Sequence, residues 1–240
     1  GKAHSFGPDD KIFTAAAQFA HNGASVFASH FGIKYPSQAN VVKCLDKVAY
    51  YKIFLDIGVP IPNTRFIKDK FELDEAINKS NENSIFYLKS DFSKNPNYVY
   101  RFKTSDYKNQ NIYWGRDRYL RNHYILQEEF IGPSLRINCY GDRFNVYNFN
   151  TGLKTNKFNQ QLVKYDVIKC LQTIMSFFEM RNWLIKFDVI INDTGFVVLD
   201  IGMDPPFRMN KSALEHEINF HSHYLDHYLD NNVSYPELMD

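Results

Sequence analysis

The sequence predicts an α+β fold built from antiparallel strands and amphipathic helices. Residues 184–206 contain two apolar, β-branched runs around Asn-Asp-Thr-Gly, a pattern typical of a tight β-hairpin. Residues 124–143 predict a strand, a Gly-Pro turn and a second strand that ends at Gly-Asp. Residues 41–58 and 162–180 carry apolar side chains at helical spacing. A chain of 240 residues can form one large domain or two small lobes that share a cleft.

The N-terminal part is predicted to be helical. Pro8-Asp9 is a start signal for a helix over residues 9–30, interrupted at Asn22-Gly23. Residues 41–58 predict one amphipathic helix that stops at Gly58 and leads through an extended Val-Pro-Ile-Pro segment into the next strand. By the same patterns we expect a helix at 71–77, strands at 84–90 and 144–149, a helical turn with an arginine cluster at 114–121, and a closing helix at 210–230.

The composition is that of a globular protein with an aromatic interior. Hydrophobic residues make up 44% of the chain and charged residues 23%, with sixteen Tyr and twenty-one Phe. A formal net charge of +1 argues against a nucleic-acid-binding or membrane-binding surface. Cys44, Cys139 and Cys170 are widely spaced without zinc-ligand spacing, so we expect reduced core thiols. With neither a membrane-length apolar run nor a leader pattern, we expect a cytoplasmic protein.

Two carboxylates lie inside the predicted hairpin. Asp188 belongs to its first strand and Asp200 to its second, so pairing across the turn brings them together near the open end. Two partly buried carboxylates repel each other unless a cation lies between them. We therefore expect a hard divalent cation, Mg²⁺, that also binds substrate phosphates. The alternative is a pair of strand-end residues capped by backbone amides or solvent.

These residues resemble the C-terminal signature of the ATP-grasp superfamily. That signature has a basic residue two positions before an acid, then a hairpin, then acid-x-Asn-x-x-Pro. Lys186-x-Asp188 and Asp200-x-Gly202-x-x-Pro205 match it with three departures, since Lys replaces Arg, Asp replaces Glu and Gly replaces Asn.

Three other segments resemble the same superfamily, in the same order along the chain. They are Asp46-Lys47 followed by Gly58-Val59-Pro60, the apolar strand that closes on Lys89, and the linker-like stretch from Glu128 to Asp142. Together the four segments cover roughly residues 40–210. The resemblance implies two sheet-plus-helix lobes that clasp ATP between them.

The resemblance also implies a domain organisation. Residues 1–40 are a helical segment in place of an N-terminal substrate domain that is absent or much reduced, residues 41–126 are the first lobe, and residues 127–240 are the second lobe with the metal-binding hairpin. The acceptor is then a small molecule, an amino acid or a peptide docked from outside, or a partner protein completes its site.

The nucleotide contacts implied by the resemblance fall into two groups. Lys47, Lys89 and Lys154 hold the phosphates of ATP. The remaining contacts are Glu128, Glu129, Phe130 and Ile131 at the adenine, Ser134 near the position of the family's ribose-binding Glu, and Leu199 beside the metal ligand. The residues themselves leave alternatives open: a solvated helix lysine for Lys47, a lysine that reaches solvent for Lys89, and strand core for Phe130 and Ile131.

The chemistry implied is that of an ADP-forming ligase that joins a carboxylate to an amine through an acylphosphate. Asp188 and Asp200 hold Mg²⁺ as the γ-phosphoryl group moves, with Asp204 as a substitute for the oxygen that the family's Asn supplies. Lys186 stabilises the oxyanion formed when the amine attacks, and Arg136 belongs to the same catalytic set.

The departures from the signature support rival hypotheses. Gly202 supplies no side-chain oxygen for a metal, and residues 91–102 contain none of the glycines with which the family's flap approaches phosphate. A nucleotide-binding pseudoenzyme or interaction protein is therefore one alternative. A phosphotransferase on the same fold is another.

Overall fold

The computed structural model describes residues 6–12, 14, 19–90, 99–110, 112 and 124–203. Several predictions lie outside these residues: the arginine cluster at 114–121, the glycine-free segment from 91 to 98, the helix at 210–230 and the metal ligand Asp204. None of the helices within the described residues combines the length and apolarity that crossing a membrane requires.

Helices and strands follow one another along the whole described chain. The helices are α1 (Phe19–Phe31), α2 (Gln38–Leu45), α3 (Lys47–Asp56), α4 (Lys70–Asn78), α5 (Asn159–Lys164) and α6 (Val167–Phe177), with a 3₁₀ helix at Thr104–Asn109. The strands are β1 (Thr64–Ile67), β2 (Ile85–Ser90), β3 (Val99–Lys103), β4 (Tyr124–Glu128), β5 (Ser134–Tyr140), β6 (Arg143–Asn148), β7 (Ile185–Asn192) and β8 (Gly195–Gly202).

The strands form two antiparallel sheets, which confirms the predicted α+β class. The first has the order β1-β4-β2-β3 and the second the order β6-β5-β7-β8. The chain passes from the first sheet to the second in the short linker between β4 and β5. That linker is the stretch in which nucleotide contacts are predicted.

Each sheet has its own hydrophobic cluster. The smaller cluster packs α4 against the first sheet through residues such as Leu73, Ile77, Leu88 and Leu126. The larger cluster joins α2, α3 and α6 to the second sheet, with buried residues that include Val41, Tyr51, Phe54, Leu171, Phe178, Ile137 and Phe187. The predicted first lobe at 41–126 therefore contributes to both clusters, because its first two helices pack with the second sheet.

The single helix predicted at 41–58 is wrong, since the structure has two helices that meet at Asp46. This residue has an extended backbone, and its carboxylate accepts a hydrogen bond from the backbone N–H of Ala49 at 3.0 Å. A side chain that satisfies one of the unpaired N–H groups of a first turn is an N-cap. The cap starts a new helix and makes Lys47 its first residue.

Two other helix predictions also needed correction. The helix predicted at 162–180 is divided into α5 and α6 at Asp166, whose left-handed backbone (φ 51°) interrupts the helical hydrogen bonds. The helix predicted from Asp9 is described only from Phe19 onward, and residues 6–12 adopt turn and irregular conformations. That helix runs through Gly23 without the predicted interruption.

The acid-bearing hairpin has the predicted form. The side-chain oxygen of Asn192 accepts hydrogen bonds from the backbone N–H groups of Thr194 (2.8 Å) and Gly195 (3.1 Å), which closes the turn. The register shifts between Asp188 and Val189, so that Leu199 is an extra residue opposite them on β8. The bulge lies at the acidic end of the hairpin.

Candidate active site

The second sheet presents a polar face opposite its core. Along β7, Phe187 and Val189 are buried in the hydrophobic cluster, whereas Lys186 and Asp188 lie on the other, half-buried face. Asp188 lies directly opposite Asp200 of β8. The predicted approach of the two carboxylates across the hairpin is therefore present in the structure.

Asp188 is held by a bidentate ion pair. Arg136 of β5 lies directly opposite it, with Nε 2.8 Å from Oδ1 and Nη2 2.9 Å from Oδ2. The guanidinium also lies over the ring of Phe149, 4.9 Å from its centroid. Both charged side chains are less than a fifth exposed, so the pair is largely shielded from solvent.

Asp200 is held from the other side by α3. Its Oδ1 lies 3.2 Å from Nζ of Lys47 and accepts a 2.7 Å hydrogen bond from the hydroxyl of Tyr50. The Lys47 side chain is only 12% exposed, which rules out a solvated helix lysine. Within the part of the chain that the structure describes, basic side chains from separate elements neutralise both carboxylates, which differs from the caps of backbone amides or solvent in the alternative interpretation.

Lys89 reaches the same charged side chains from the first sheet, and the region between the two sheets that holds Lys47, Lys89, Asp188 and Asp200 is called the cleft below. Its ammonium donates a 2.7 Å hydrogen bond to Oε1 of Gln127. Burial and then the nearby charge of Lys47 lower the pKa of Lys89 to about 8, although Asp200 and Asp188 act in the opposite direction. Lys89 therefore points into the cleft and does not extend along the surface to solvent.

Tyr51 joins the two sheets beneath this cluster. Its hydroxyl contacts Oε1 of Gln127 on β4 at 3.4 Å and donates to the backbone carbonyl of Leu199 on β8. Burial raises the pKa values of Tyr50 and Tyr51 well above the usual value for tyrosine, so both remain hydrogen-bond donors. Leu199, which is predicted to contact the nucleotide, contributes to this cluster through its backbone carbonyl group, the acceptor of the hydrogen bond from Tyr51.

Glu128 at the end of β4 and Glu129 of the linker are both held by residues in or directly beside the first sheet. Glu129 accepts hydrogen bonds from Nε of Arg101 (3.0 Å) and from the hydroxyl of Tyr87 (3.1 Å). Glu128 accepts from the amide of Asn63 (3.2 Å) and lies within hydrogen-bond distance of Ser84. These carboxylates are compensated within the protein, and their assignment to adenine remains a prediction.

The rest of the linker lies against the hairpin turn. Ile131 is 76% exposed, which excludes a core position for this apolar side chain, whereas Phe130 is half-buried. The carbonyl of Ile131 accepts a 2.8 Å hydrogen bond from the side-chain amide of Asn192. A Cβ on Gly132 would lie 2.5 Å from the carbonyl oxygen of Ile191, so glycine is required for this close approach. Ser134 begins β5 and is half-buried.

Lys154 lies at the far edge of the second sheet. It pairs with Tyr147 in an isolated bridge, and the same row across the sheet continues through Arg136 to Asp188. Neighbouring strands are about 4.8 Å apart, so roughly 14 Å separates the backbones at Lys154 and Asp188. Lys154 also lines a cavity of about 800 Å³ with Lys169 of α6. Its contact with phosphate remains a prediction.

The donor set fits a metal ion that is shared with a phosphate ligand. Within the described residues no group of three His, Cys, Asp or Glu side chains could hold a metal by itself. Asp188 and Asp200 offer two adjacent carboxylates, and Mg²⁺ is commonly held by one or two carboxylates together with substrate phosphates. The two side chains therefore fit magnesium as part of a magnesium–nucleotide complex.

Sequence reasoning did not identify Tyr50 and Gln127 as site residues. Tyr50 lies three positions after Lys47 on α3, and residues with this spacing share one face of a helix. Gln127 is a buried polar residue in the otherwise apolar strand β4. Helical spacing from Lys47 is a signal that could have pointed to Tyr50, but only the packing of α3 on the second sheet reveals its partner, Asp200.

Comparison with known proteins places this geometry in a recurrent fold. No protein-family model and no curated protein sequence matches the chain. A RimK domain ATP-grasp protein from Sphaerobacter thermophilus is similar in structure, with a TM-score of 0.65 and 14% identity over 90% of this chain and 78% of that chain.

Two further solved structures are similar over most of the chain. D-alanine–D-alanine ligase from Bacillus anthracis, complexed with ATP, has a TM-score of 0.59 and 12% identity over 90% of this chain and 76% of that chain. L-amino acid ligase from Bacillus licheniformis has a TM-score of 0.62 and 14% identity over 92% of this chain and 56% of that chain. At such identities the similarity is one of fold.

Proposed function

Because the chain has the ATP-grasp fold, we propose that it is an ATP-dependent ligase that joins a carboxylate to an amine and releases ADP. The observation that carries this proposal is the meeting of Lys47, Lys89, Asp188 and Asp200, from four separate segments, in one cleft between two sheets. Two cations suit phosphate and two adjacent carboxylates suit a hard metal ion.

Lys47 and Lys89 are the phosphate ligands in this proposal. They approach the cleft from α3 and from β2, so their ammonium groups can hold one polyphosphate from two sides. Asp188 and Asp200 would hold Mg²⁺, which supplies charge neutralisation at the phosphates during phosphoryl transfer. Tyr50 fixes the orientation of the Asp200 carboxylate through its hydrogen bond.

In this proposal Arg136 and Lys186 stabilise the negative charge that develops during acyl transfer. Both lie on the polar face of the second sheet, on the adjacent strands β5 and β7. Arg136 is fixed by Asp188 and by the ring of Phe149, and a fixed cation stabilises developing negative charge without reorganisation. Lys186 would stabilise the oxyanion when an amine attacks the acylphosphate.

The base of the nucleotide belongs at the linker in this proposal. Ile131 supplies an exposed apolar surface, and Phe130 follows directly after the ion-paired Glu129.

Two of the structurally similar proteins are named for amino-acid or D-alanine ligation. We therefore take an amino acid or short peptide as the substrate, and we keep the cytoplasm, expected from the sequence, as the proposed location.

A nucleotide-binding protein without turnover is the second candidate function. It is favoured by the donor set, because Asp188 and Asp200 are the only carboxylates that the described residues bring to the metal position, and Gly202 adds no side-chain oxygen. The two candidates differ in whether the γ-phosphoryl group is transferred.

Trapping of the acylphosphate tests the ligase. The protein is incubated with ATP, Mg²⁺, hydroxylamine and a panel of amino acids and dipeptides, and hydroxamate and ADP are measured together. We expect equal amounts of both products with at least one carboxylate, abolished by Asp200→Asn and unchanged by Lys52→Met at an exposed position of α3. Nucleotide binding without either product would favour the second candidate.

A further inference from the structure

We propose that Lys47 keeps the carboxylate of Asp200 closed to metal ions until nucleotide phosphates draw the lysine away, so that metal and nucleotide bind only together. This inference rests on the proposed function, because it takes Asp200 as a metal ligand and Lys47 as a phosphate ligand. It concerns how the two binding events are coupled.

The ammonium group of Lys47 lies beside the carboxylate oxygen that a metal ion would use. Nζ of Lys47 lies 3.2 Å from Oδ1 of Asp200 and 3.4 Å from the hydroxyl of Tyr50, which itself lies 2.7 Å from the same oxygen. A cation beside a carboxylate oxygen takes a position that a metal ion would need, and it favours the ionised carboxylate in the same way. The ammonium group therefore competes directly with a metal at Oδ1.

The two carboxylates in the cleft are already neutralised by cationic side chains. Arg136 donates one hydrogen bond to each oxygen of Asp188, and Lys89 lies close enough to be influenced by Lys47 and both carboxylates. Among the described residues, Lys47, Arg136 and Lys89 thus bring three cationic side chains close to the two carboxylates. A bare divalent cation entering this region would find the negative charge already neutralised, and little net attraction would remain.

In this proposal Lys47 exchanges its carboxylate partner, Asp200, for a phosphate of the nucleotide. A lysine ammonium is a compact charge with three donors on a flexible stem, so Lys47 can turn from a carboxylate to a phosphate without losing ionic compensation. Asp200 would keep the hydrogen bond from Tyr50, which leaves acceptor sites on the carboxylate for a metal. Since coupling between two ligands is reciprocal, each should then strengthen the binding of the other.

The inference is tested by measuring how tightly the wild type and Lys47 variants bind a metal ion in the absence of nucleotide. Mn²⁺ serves as the probe because the spin resonance signal of the free ion reports its concentration. We expect nucleotide-free Lys47→Met to bind Mn²⁺ at least ~10-fold more tightly than the wild type, since nearby charges commonly shift such equilibria by one to three orders of magnitude. Lys52→Met removes the same charge from an exposed position of the same helix and should match the wild type.

A gain of affinity at a single site requires the two carboxylates to stay together, so cooperative thermal unfolding is checked for each variant. Lys47→Gln, which is also neutral but polar, should show the same gain and provides a second test if the methionine variant folds poorly. Adding a non-hydrolysable ATP analogue should allow the wild type to bind Mn²⁺, while both Lys47 variants should bind the analogue more weakly.

The outcomes separate this inference from the proposed function. If the wild type binds Mn²⁺ equally well with and without the analogue, or neither Lys47 variant gains affinity, the inference is overturned while the nucleotide site stands. If the wild type binds no analogue at all, the proposed function and the inference fail together.

Discussion

Asp188 and Asp200 lie directly opposite each other on β7 and β8, yet each carboxylate is neutralised by a different part of the chain. Arg136 on the neighbouring strand holds Asp188, whereas Lys47 and Tyr50 of α3 hold Asp200. Opposite side chains on adjacent strands have Cβ atoms about 4.5–5.5 Å apart, close enough for one cation to contact both. The arrangement is thus compensated before a ligand arrives and compact enough to receive one.

The bidentate pair of Arg136 and Asp188 should contribute to stability. We expect Asp188→Asn to lower the free energy of unfolding by about 1–3 kcal/mol, because a largely buried guanidinium loses a charged hydrogen-bond partner. Asp142→Asn is the control, since this carboxylate is 87% exposed and lies 3.8 Å from Arg181. It should change stability by less than about 0.5 kcal/mol. Urea unfolding measures both, and equal effects would contradict the role of the buried pair.

The hydroxyl of Tyr50 should act on the metal site as well as on stability. We expect Tyr50→Phe to destabilise the protein by about 1.5–3 kcal/mol through loss of a hydrogen bond to a carboxylate. Tyr107→Phe removes a comparable hydrogen bond to Asp74 on the first sheet's side of the molecule.

The comparison of these two tyrosine variants separates the two effects. Both should lower the thermal midpoint, but only Tyr50→Phe should weaken Mn²⁺ binding in the presence of an ATP analogue. If both variants bound the metal equally well, Tyr50 would have a purely structural role.

Nucleotide affinity should fall as the pH rises through the pKa of Lys89. This pKa is lowered to about 8 by burial and by Lys47, against the opposing influence of Asp188 and Asp200. Below pH 8 the side chain is charged and attracts phosphate, whereas above it the neutral amine does not. Bound phosphate favours the charged form, so binding near pH 8.5 should take up a proton.

Calorimetry in buffers of different ionisation enthalpy measures that proton uptake. Lys89→Met should bind the nucleotide more weakly, lose the uptake and show a flatter pH profile between 7 and 9. A wild-type profile identical to that of the variant would place Lys89 away from the phosphates.

The close approach of the linker to the hairpin makes Gly132 sensitive to substitution. A Cβ there would lie 2.5 Å from the backbone oxygen of Ile191, so Gly132→Ala should cost more than about 1 kcal/mol of stability. Gly23→Ala is the matched control, because its Cβ would meet no atom within 4 Å in the middle of α1. It should stabilise the protein by about 0.5–1 kcal/mol. Thermal unfolding that ranked the two variants in the reverse order would contradict the linker geometry.

The sequence predicted the hairpin and the approach of its two carboxylates, but not the bulge that places them opposite each other. A turn of Asn-Asp-Thr-Gly between β-branched runs determines the register as far as Val189, and that register alone would pair Asp188 with Leu199. The bulge at Leu199 shifts the register so that Asp188 lies opposite Asp200. Lys89 could be placed in the cleft only through the family resemblance, because an apolar strand that ends in lysine also suits a lysine reaching solvent.

Two helix breaks and two site residues were not predicted from the sequence. The first have local causes and the second have tertiary causes. Helical spacing of apolar residues continues across Asp46 and Asp166, so the pattern does not show that one residue caps a helix and the other adopts a left-handed backbone. The partners of Tyr50 and Gln127 lie 150 and 38 positions away. Such contacts are created by the packing of α3 and the two sheets, which no local pattern encodes.

Calorimetric titration with a non-hydrolysable ATP analogue, with and without Mg²⁺, tests the central claim most directly. We predict that the wild type binds the analogue with a strong dependence on Mg²⁺, and that Asp200→Asn loses this dependence while its thermal unfolding remains cooperative. Binding that is independent of Mg²⁺, or that is unchanged in Asp200→Asn, would contradict the assignment of the hairpin carboxylates to a magnesium–nucleotide site.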